Sequence, residues 1–152
     1  GVLPLPVSVL RGVGPFLVDP RTRGRAITLT FDQFRYGWAN ALDEQEAKEL
    51  YDTYHVAGSG IALVQMGNAN LNPWTEARVD TRNPERGPLL IIDGKEDHTV
   101  PWAIAKAAYE RQRRNPGVTE VVEIPHRGHS LTIDHGWREV AQTALAFVQR
   151  FA

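Results

Sequence analysis

Two residues that can move protons stand just past two apolar runs. Asp97 follows Leu89-Leu90-Ile91-Ile92, and His129 follows Val121-Val122-Glu123-Ile124. Each run stops abruptly in a polar turn, Asp93-Gly94-Lys95-Glu96-Asp97 in the first case and Pro125-His126-Arg127-Gly128-His129 in the second. A carboxylate beyond one strand and an imidazole beyond the next is an arrangement that orients a general base. Taken singly, Asp97 reads as a turn-capping carboxylate and His129 as a satisfied loop histidine. Their joint placement after two strands favours an acid–base pair. Asp93, His98, His126 and His135 lie close by in sequence and raise the alternative of a metal site. No His-Glu-x-x-His spacing is present, Asp93 and His98 read as turn residues, and neither a metal nor any other cofactor is expected.

The elements that must position this pair are encoded in the second half of the chain. Leu89–Ile92 is uniformly apolar, as in a strand buried on both faces of a parallel sheet. Pro101 suits the start of a helix running to about Arg114, with Trp102, Ala105, Ala108 and Tyr109 inward, and Asn115-Pro116-Gly117 ends it. Val118–Ile124 is a second strand, so a βαβ crossover is expected. Asp134 caps a last helix to Phe151, with Trp137, Val140, Ala141, Ala144, Phe147 and Val148 inward.

The first half reads as helical. Residues 1–27 are irregular, interrupted by Pro4, Pro6, Pro15 and Pro20, with a short helix at most over 7–13. Arg21, Arg23 and Arg25 read as a solvated face. Thr30 and Gln33 have capping-box spacing, followed by Phe31, Phe34, Trp38 and Leu42 at helical intervals. Asp43 with Glu46 repeats the signal and opens a helix to Tyr54, with Ala47, Leu50, Tyr51 and Tyr54 on one face. The pair predicts a helical hairpin whose aromatic stripe is mainly core. Gly58-Ser59-Gly60 is a turn, and 61–66 is strand or helix start. Asn70-Leu71-Asn72-Pro73-Trp74 is a turn, 75–79 adds a helical turn, and Thr81–Gly87 is a polar linker. The predicted organisation is a helical segment over 1–86 and an α/β segment over 87–152.

Composition narrows the function classes. With 152 residues, 42% hydrophobic and 23% charged, the chain is long enough for one domain with a real core. A net charge of -1 gives no sign of a nucleic-acid or membrane partner. The absence of cysteine excludes disulfides, thiolate catalysis and a zinc–cysteine site. No apolar run approaches the roughly 20 residues of a membrane span. The opening Gly1-Val2-Leu3-Pro4-Leu5-Pro6 is a poor signal peptide, so a cytoplasmic location is expected. That opening also lacks an initiator Met, which suggests the interior of a longer protein.

Leu-Leu-Ile-Ile-x-Gly-x-x-Asp-x-x-Val-Pro, followed by a helix, a strand and Arg-Gly-His-Ser, resembles the C-terminal end of an α/β-hydrolase. The resemblance is specific over 88–130. It extends more loosely to the segment with Leu29-Thr30-Phe31-Asp32-Gln33-Phe34 and Asn40-Ala41-Leu42, which looks like a helical cap. It implies Asp97 as triad acid, His129 as general base, and Phe34, Trp38 and Val100 as substrate-binding residues. The departure from the family is the nucleophile. Its Gly-x-Ser-x-Gly elbow is absent: Ser59 has Ala57 and Ile61 where glycines are required, Ser130 adjoins the base, and Ser8 lies in the irregular opening.

The expectation is therefore an α/β chain, the C-terminal β-α-β-α part of a hydrolase sheet preceded by a cap. It would supply acid and base for cleavage of a small-molecule ester or related acyl bond. The nucleophile would come from a missing N-terminal half, or the chain would associate with a second copy. The rivals are a non-catalytic interaction protein that keeps the fold remnant, and a minimal hydrolase using a local serine such as Ser59.

Overall fold

The computed structural model describes residues 5–69, 71–72 and 74–152. The chain begins with helix α1 (Val7–Val18), a 3-10 turn (Pro20–Gly24) and the two-residue strand β1 (Ala26–Ile27). The helix is longer than the expected 7–13 and runs through Pro15, although a proline inside a helix costs about 3 kcal/mol. Leu17 lies close against Gly67, and the Arg11 guanidinium sits 4.5 Å from the centre of the Tyr36 ring. Asp19 caps the 3-10 turn, accepting from the Arg21 N–H at 2.9 Å, while Arg21, Arg23 and Arg25 are exposed. Pro4 lies outside the described residues.

Helix α2 (Phe31–Gly37) starts where the capping box puts it: Thr30 Oγ1 accepts from the Gln33 N–H at 3.3 Å, and Gln33 Oε1 accepts from the Thr30 N–H at 2.9 Å. It ends sooner than the stripe to Leu42 implies. The Trp38 and Ala39 N–H groups converge on the Phe34 carbonyl, at 2.7 and 3.3 Å, and turns follow. Helix α3 (Glu44–Tyr54) is capped by Asp43, which accepts from the Glu46 N–H at 2.8 Å. The two helices bury Phe34, Ala39, Leu42, Ala47 and Leu50 between them. Tyr51 meets Phe31 and Phe34 edge-on at 5.6 and 5.4 Å. Tyr54, expected on the same face, is exposed, because Tyr51 already meets the first residue of α2 and Tyr54 lies beyond it.

Gly58-Ser59-Gly60 is not a free turn. Strand β2 (Gly58–Ser59) pairs antiparallel with β1, and Gly60 opens helix α4 (Gly60–Asn68), which makes 61–66 helical. Gly60 is required there, since a Cβ would collide with the carbonyls of Thr22 and Arg25. Asn70 and Pro73 of the next expected turn lie outside the described residues. Beyond them, 75–79 forms turns and no helix. The linker over 81–87 is held by Asn115, whose Nδ2 donates to the Thr81 and Asn83 carbonyls at 3.3 and 2.7 Å.

Strand β3 (Leu89–Gly94), helix α5 (Trp102–Gln112) and strand β4 (Thr119–Ile124) form the expected β-α-β unit. The strands are parallel, from Leu89 opposite Thr119 to Gly94 opposite Ile124. Leu89–Ile92 is half-buried rather than covered on both faces, and among the described residues β3 has β4 as its one strand neighbour. Helix α6 (Trp137–Val148) begins after Gly136, so Asp134 is not its cap. Val140 and Phe147 are buried, and Val140 packs with Ile124 and Leu131, while Trp137 and Val148, expected inward, are exposed. Helices with two small sheets make this an α/β chain.

Candidate active site

Asp97 and His129 meet. His129 Nδ1 lies 2.7 Å from Asp97 Oδ2. The other oxygen of the 5% exposed carboxylate, Oδ1, accepts from the backbone N–H groups of Thr99 and Val100 at 2.7 and 2.8 Å. With both oxygens engaged the carboxylate cannot turn. An acceptor at Nδ1 places the ring proton there and leaves Nε2 as the basic nitrogen. Among the described residues nothing hydrogen-bonds to Nε2, and the His129 side chain is 23% exposed.

The ladder of the sheet continues into the two turns and sets their spacing. The Lys95 N–H donates to the Ile124 carbonyl at 3.0 Å and the Glu96 N–H to the Arg127 carbonyl at 2.9 Å. Gly94 makes this approach possible, since a Cβ there would stand 2.5 Å from the Gly128 carbonyl oxygen. On the base side, residues 127–136 wrap around one buried guanidinium. Arg127 pairs with buried Asp134 and donates to the carbonyls of Gly136 at 3.0 Å and Leu131 at 3.3 Å. Ser130, 1% exposed, donates its hydroxyl to Asp134 Oδ2 at 3.3 Å. His129 thus stands in a turn whose Arg127 and Ser130 side chains are anchored on Asp134.

The remaining histidines have other company. His98 Nδ1 is 2.9 Å from the Tyr36 carbonyl, His135 contacts Glu46 at 2.7 Å, and His55 Nε2 accepts from the Leu29 N–H at 3.1 Å. His126 is exposed and lies 3.4 Å from Glu96. Among the described residues no cluster of three or more His, Asp or Glu is arranged to hold a metal ion.

The three expected substrate-binding residues have different places. Trp38 is 39% exposed, and its ring centre lies 4.5 Å from that of His129 at 83°. Phe34 is 5% exposed and stacks on Trp38 at 6.2 Å, so it supports that ring from within the core. Val100 contributes its N–H to Asp97 and is half-buried. A cavity of about 720 Å³ opens beside α4, lined by Ile61, Val64, Met66 and Trp74 among others, and none of these residues belongs to the pair.

The sequence reading missed two features. Asp93 is not a turn residue: it sits in β3, is 3% exposed, and its Oδ2 has no hydrogen-bond partner among the described residues. Burial pushes its carboxyl up to about 7, helped by the charges of Asp97 and Glu123, against the pull of the Gly94 N–H and His129. An aspartate continuing an apolar run was the available signal. The second feature is the Arg127–Asp134 pair, for which the spacing alone carries no signal. No helix among the described residues is long and apolar enough to cross a membrane. No family model, curated protein or solved structure matches the chain.

Proposed function

We propose that Asp97 and His129 are the triad acid and base of a serine hydrolase of the α/β-hydrolase type, acting on a carboxylic ester or related acyl bond, with the nucleophile carried by polypeptide beyond this chain. The 2.7 Å contact between His129 Nδ1 and a carboxylate held at its other oxygen by two N–H groups carries this reading. His129 Nε2 takes the proton from the attacking hydroxyl and returns it to the leaving group. Asp97 fixes the tautomer and stabilises the imidazolium. Trp38, partly exposed beside the base, offers an apolar wall to the acyl or alcohol part.

A local nucleophile is disfavoured. The Ser130 hydroxyl is buried and committed to Asp134, and among the described residues no hydrogen bond joins Ser59, exposed in β2, to His129. The test is ester turnover by the longer polypeptide that contains this segment. His129→Ala is expected to lower kcat by roughly 10⁴ or more, and Asp97→Asn comparably because it permits the wrong tautomer. His126→Ala and His98→Ala are expected to be mild. An essential His126 with a dispensable His129 would refute the assignment of the base.

A further inference from the structure

The last turn of an α-helix leaves carbonyls without intrahelical partners. In α2 these include Tyr36, Gly37 and Trp38, and the two turns of the site supply a donor to each of the three. His98 Nδ1 is 2.9 Å from the Tyr36 oxygen, Thr99 Oγ1 donates to the Gly37 oxygen at 2.6 Å, and the Ser130 N–H donates to the Trp38 oxygen at 3.1 Å. Asn40 Nδ2 adds a bond to the Glu96 carbonyl at 2.7 Å. One helix end therefore grips both the acid turn and the base turn.

Among these contacts Thr99 has a double role. Its hydroxyl is docked on Gly37, and its own N–H is one of the two donors to Asp97 Oδ1, at 2.7 Å. A chain of short bonds runs from the Gly37 carbonyl through Thr99 to Asp97 and on to His129. A return path runs from Ser130 to the Trp38 carbonyl, and the Trp38 ring touches the His129 ring. Gly37 is buried, and a Cβ there would stand 3.2 Å from Thr99 Oγ1, so the position leaves little space for a larger residue.

We propose that Thr99 is the positioning residue through which the end of α2 holds Asp97 against His129, an inference that rests on the acid–base reading of that pair. Thr99 touches no substrate. It fixes the direction of the carboxylate by tying the turn that carries it to a helix end outside the sheet. Without the hydroxyl, the Gly37 carbonyl loses its partner and the turn over 97–100 gains freedom to move away from the base.

The test uses the 152-residue chain labelled with ¹⁵N-histidine. The proton on His129 Nδ1 is identified by its loss in His129→Gln, and its exchange with solvent is measured. Thr99→Val keeps the shape and the backbone N–H but removes the hydroxyl, whereas Thr99→Ser keeps the hydroxyl. The expected result is exchange roughly five- to tenfold faster in Thr99→Val, the scale of one lost hydrogen bond, and wild-type exchange in Thr99→Ser. Equal exchange in Thr99→Val and wild type would overturn the proposal. If Thr99→Val does not fold, Thr99→Ala carries the same comparison. If neither folds while Thr99→Ser does, the hydroxyl holds the fold rather than the base, and the proposal is overturned. A wild-type chain with no protected His129 Nδ1 proton would count against the acid–base pair itself, which separates that failure from the failure of Thr99.

Discussion

Asp93 sets a second carboxyl behind the acid of the pair, and its titration has a definite sign. Its folded value of about 7 stands above the ordinary 3.8. Between those pH values the folded chain keeps a proton that the unfolded chain has released. Stability from this group is therefore greatest below 3.8, falls as pH rises through the window, and is lost above about 7. Asp93→Asn removes the charge at nearly constant shape. It is expected to be more stable than wild type at pH 8, by an amount on the order of a few kcal/mol, and to show a flatter pH dependence between pH 4 and 8. Urea unfolding of both chains across that range checks this. Parallel curves for the two proteins would mean that Asp93 titrates alike in the folded and unfolded chains.

At the scale of elements, the turn over 127–136 is organised by the Arg127–Asp134 pair, whose side chains are 7% and 0% exposed. Arg127→Met would leave a buried carboxylate unpaired and is expected to destabilise the chain by about 3–5 kcal/mol. The double variant Arg127→Met with Asp134→Leu is expected to recover much of that loss, because it removes both charges together. Denaturant midpoints decide the matter; a mild Arg127→Met would show that the pair is not what holds the turn. These elements also show which parts of the fold were legible in the sequence. The caps at Thr30 and Asp43, the βαβ unit and the placement of Asp97 and His129 depend on local spacing, and local spacing can be read. The pairing of β2 with β1 joins segments far apart in the chain, which local spacing does not show, and neither the continuation of α1 through Pro15 nor the early end of α2 is signalled by the periodicity. Arg127 looks like an ordinary polar loop residue, and Asp134 like a helix cap, until the turn closes around them. Asp93 was within reach, since it extends an apolar strand, but a carboxyl after four aliphatic residues reads first as the start of a turn.

At the scale of the molecule, the β3–β4 sheet has two strands among the described residues, and Leu89–Ile92 is only half-buried. Two strands alone make a weak sheet with bare hydrogen-bonding edges. Ile61, Met66, Leu71 and Trp74 add exposed apolar surface at α4 and after it. The stable species is therefore expected to be an assembly, either with a polypeptide that continues the sheet or with a second copy. Sedimentation equilibrium at micromolar concentration checks this. A monodisperse monomer with a cooperative melt would show that residues before 87 complete the core. The central claim is that His129 serves a serine outside these residues, and covalent labelling tests it most directly. A longer polypeptide carrying these residues, as the proposal requires, is treated with a fluorophosphonate probe as wild type and as His129→Ala, and the labelled peptide is mapped. The account predicts a single labelled serine outside the 152 residues, with labelling roughly 10³-fold slower or more in His129→Ala. Stoichiometric labelling of Ser59 or Ser130, or labelling that His129→Ala leaves unchanged, would contradict it.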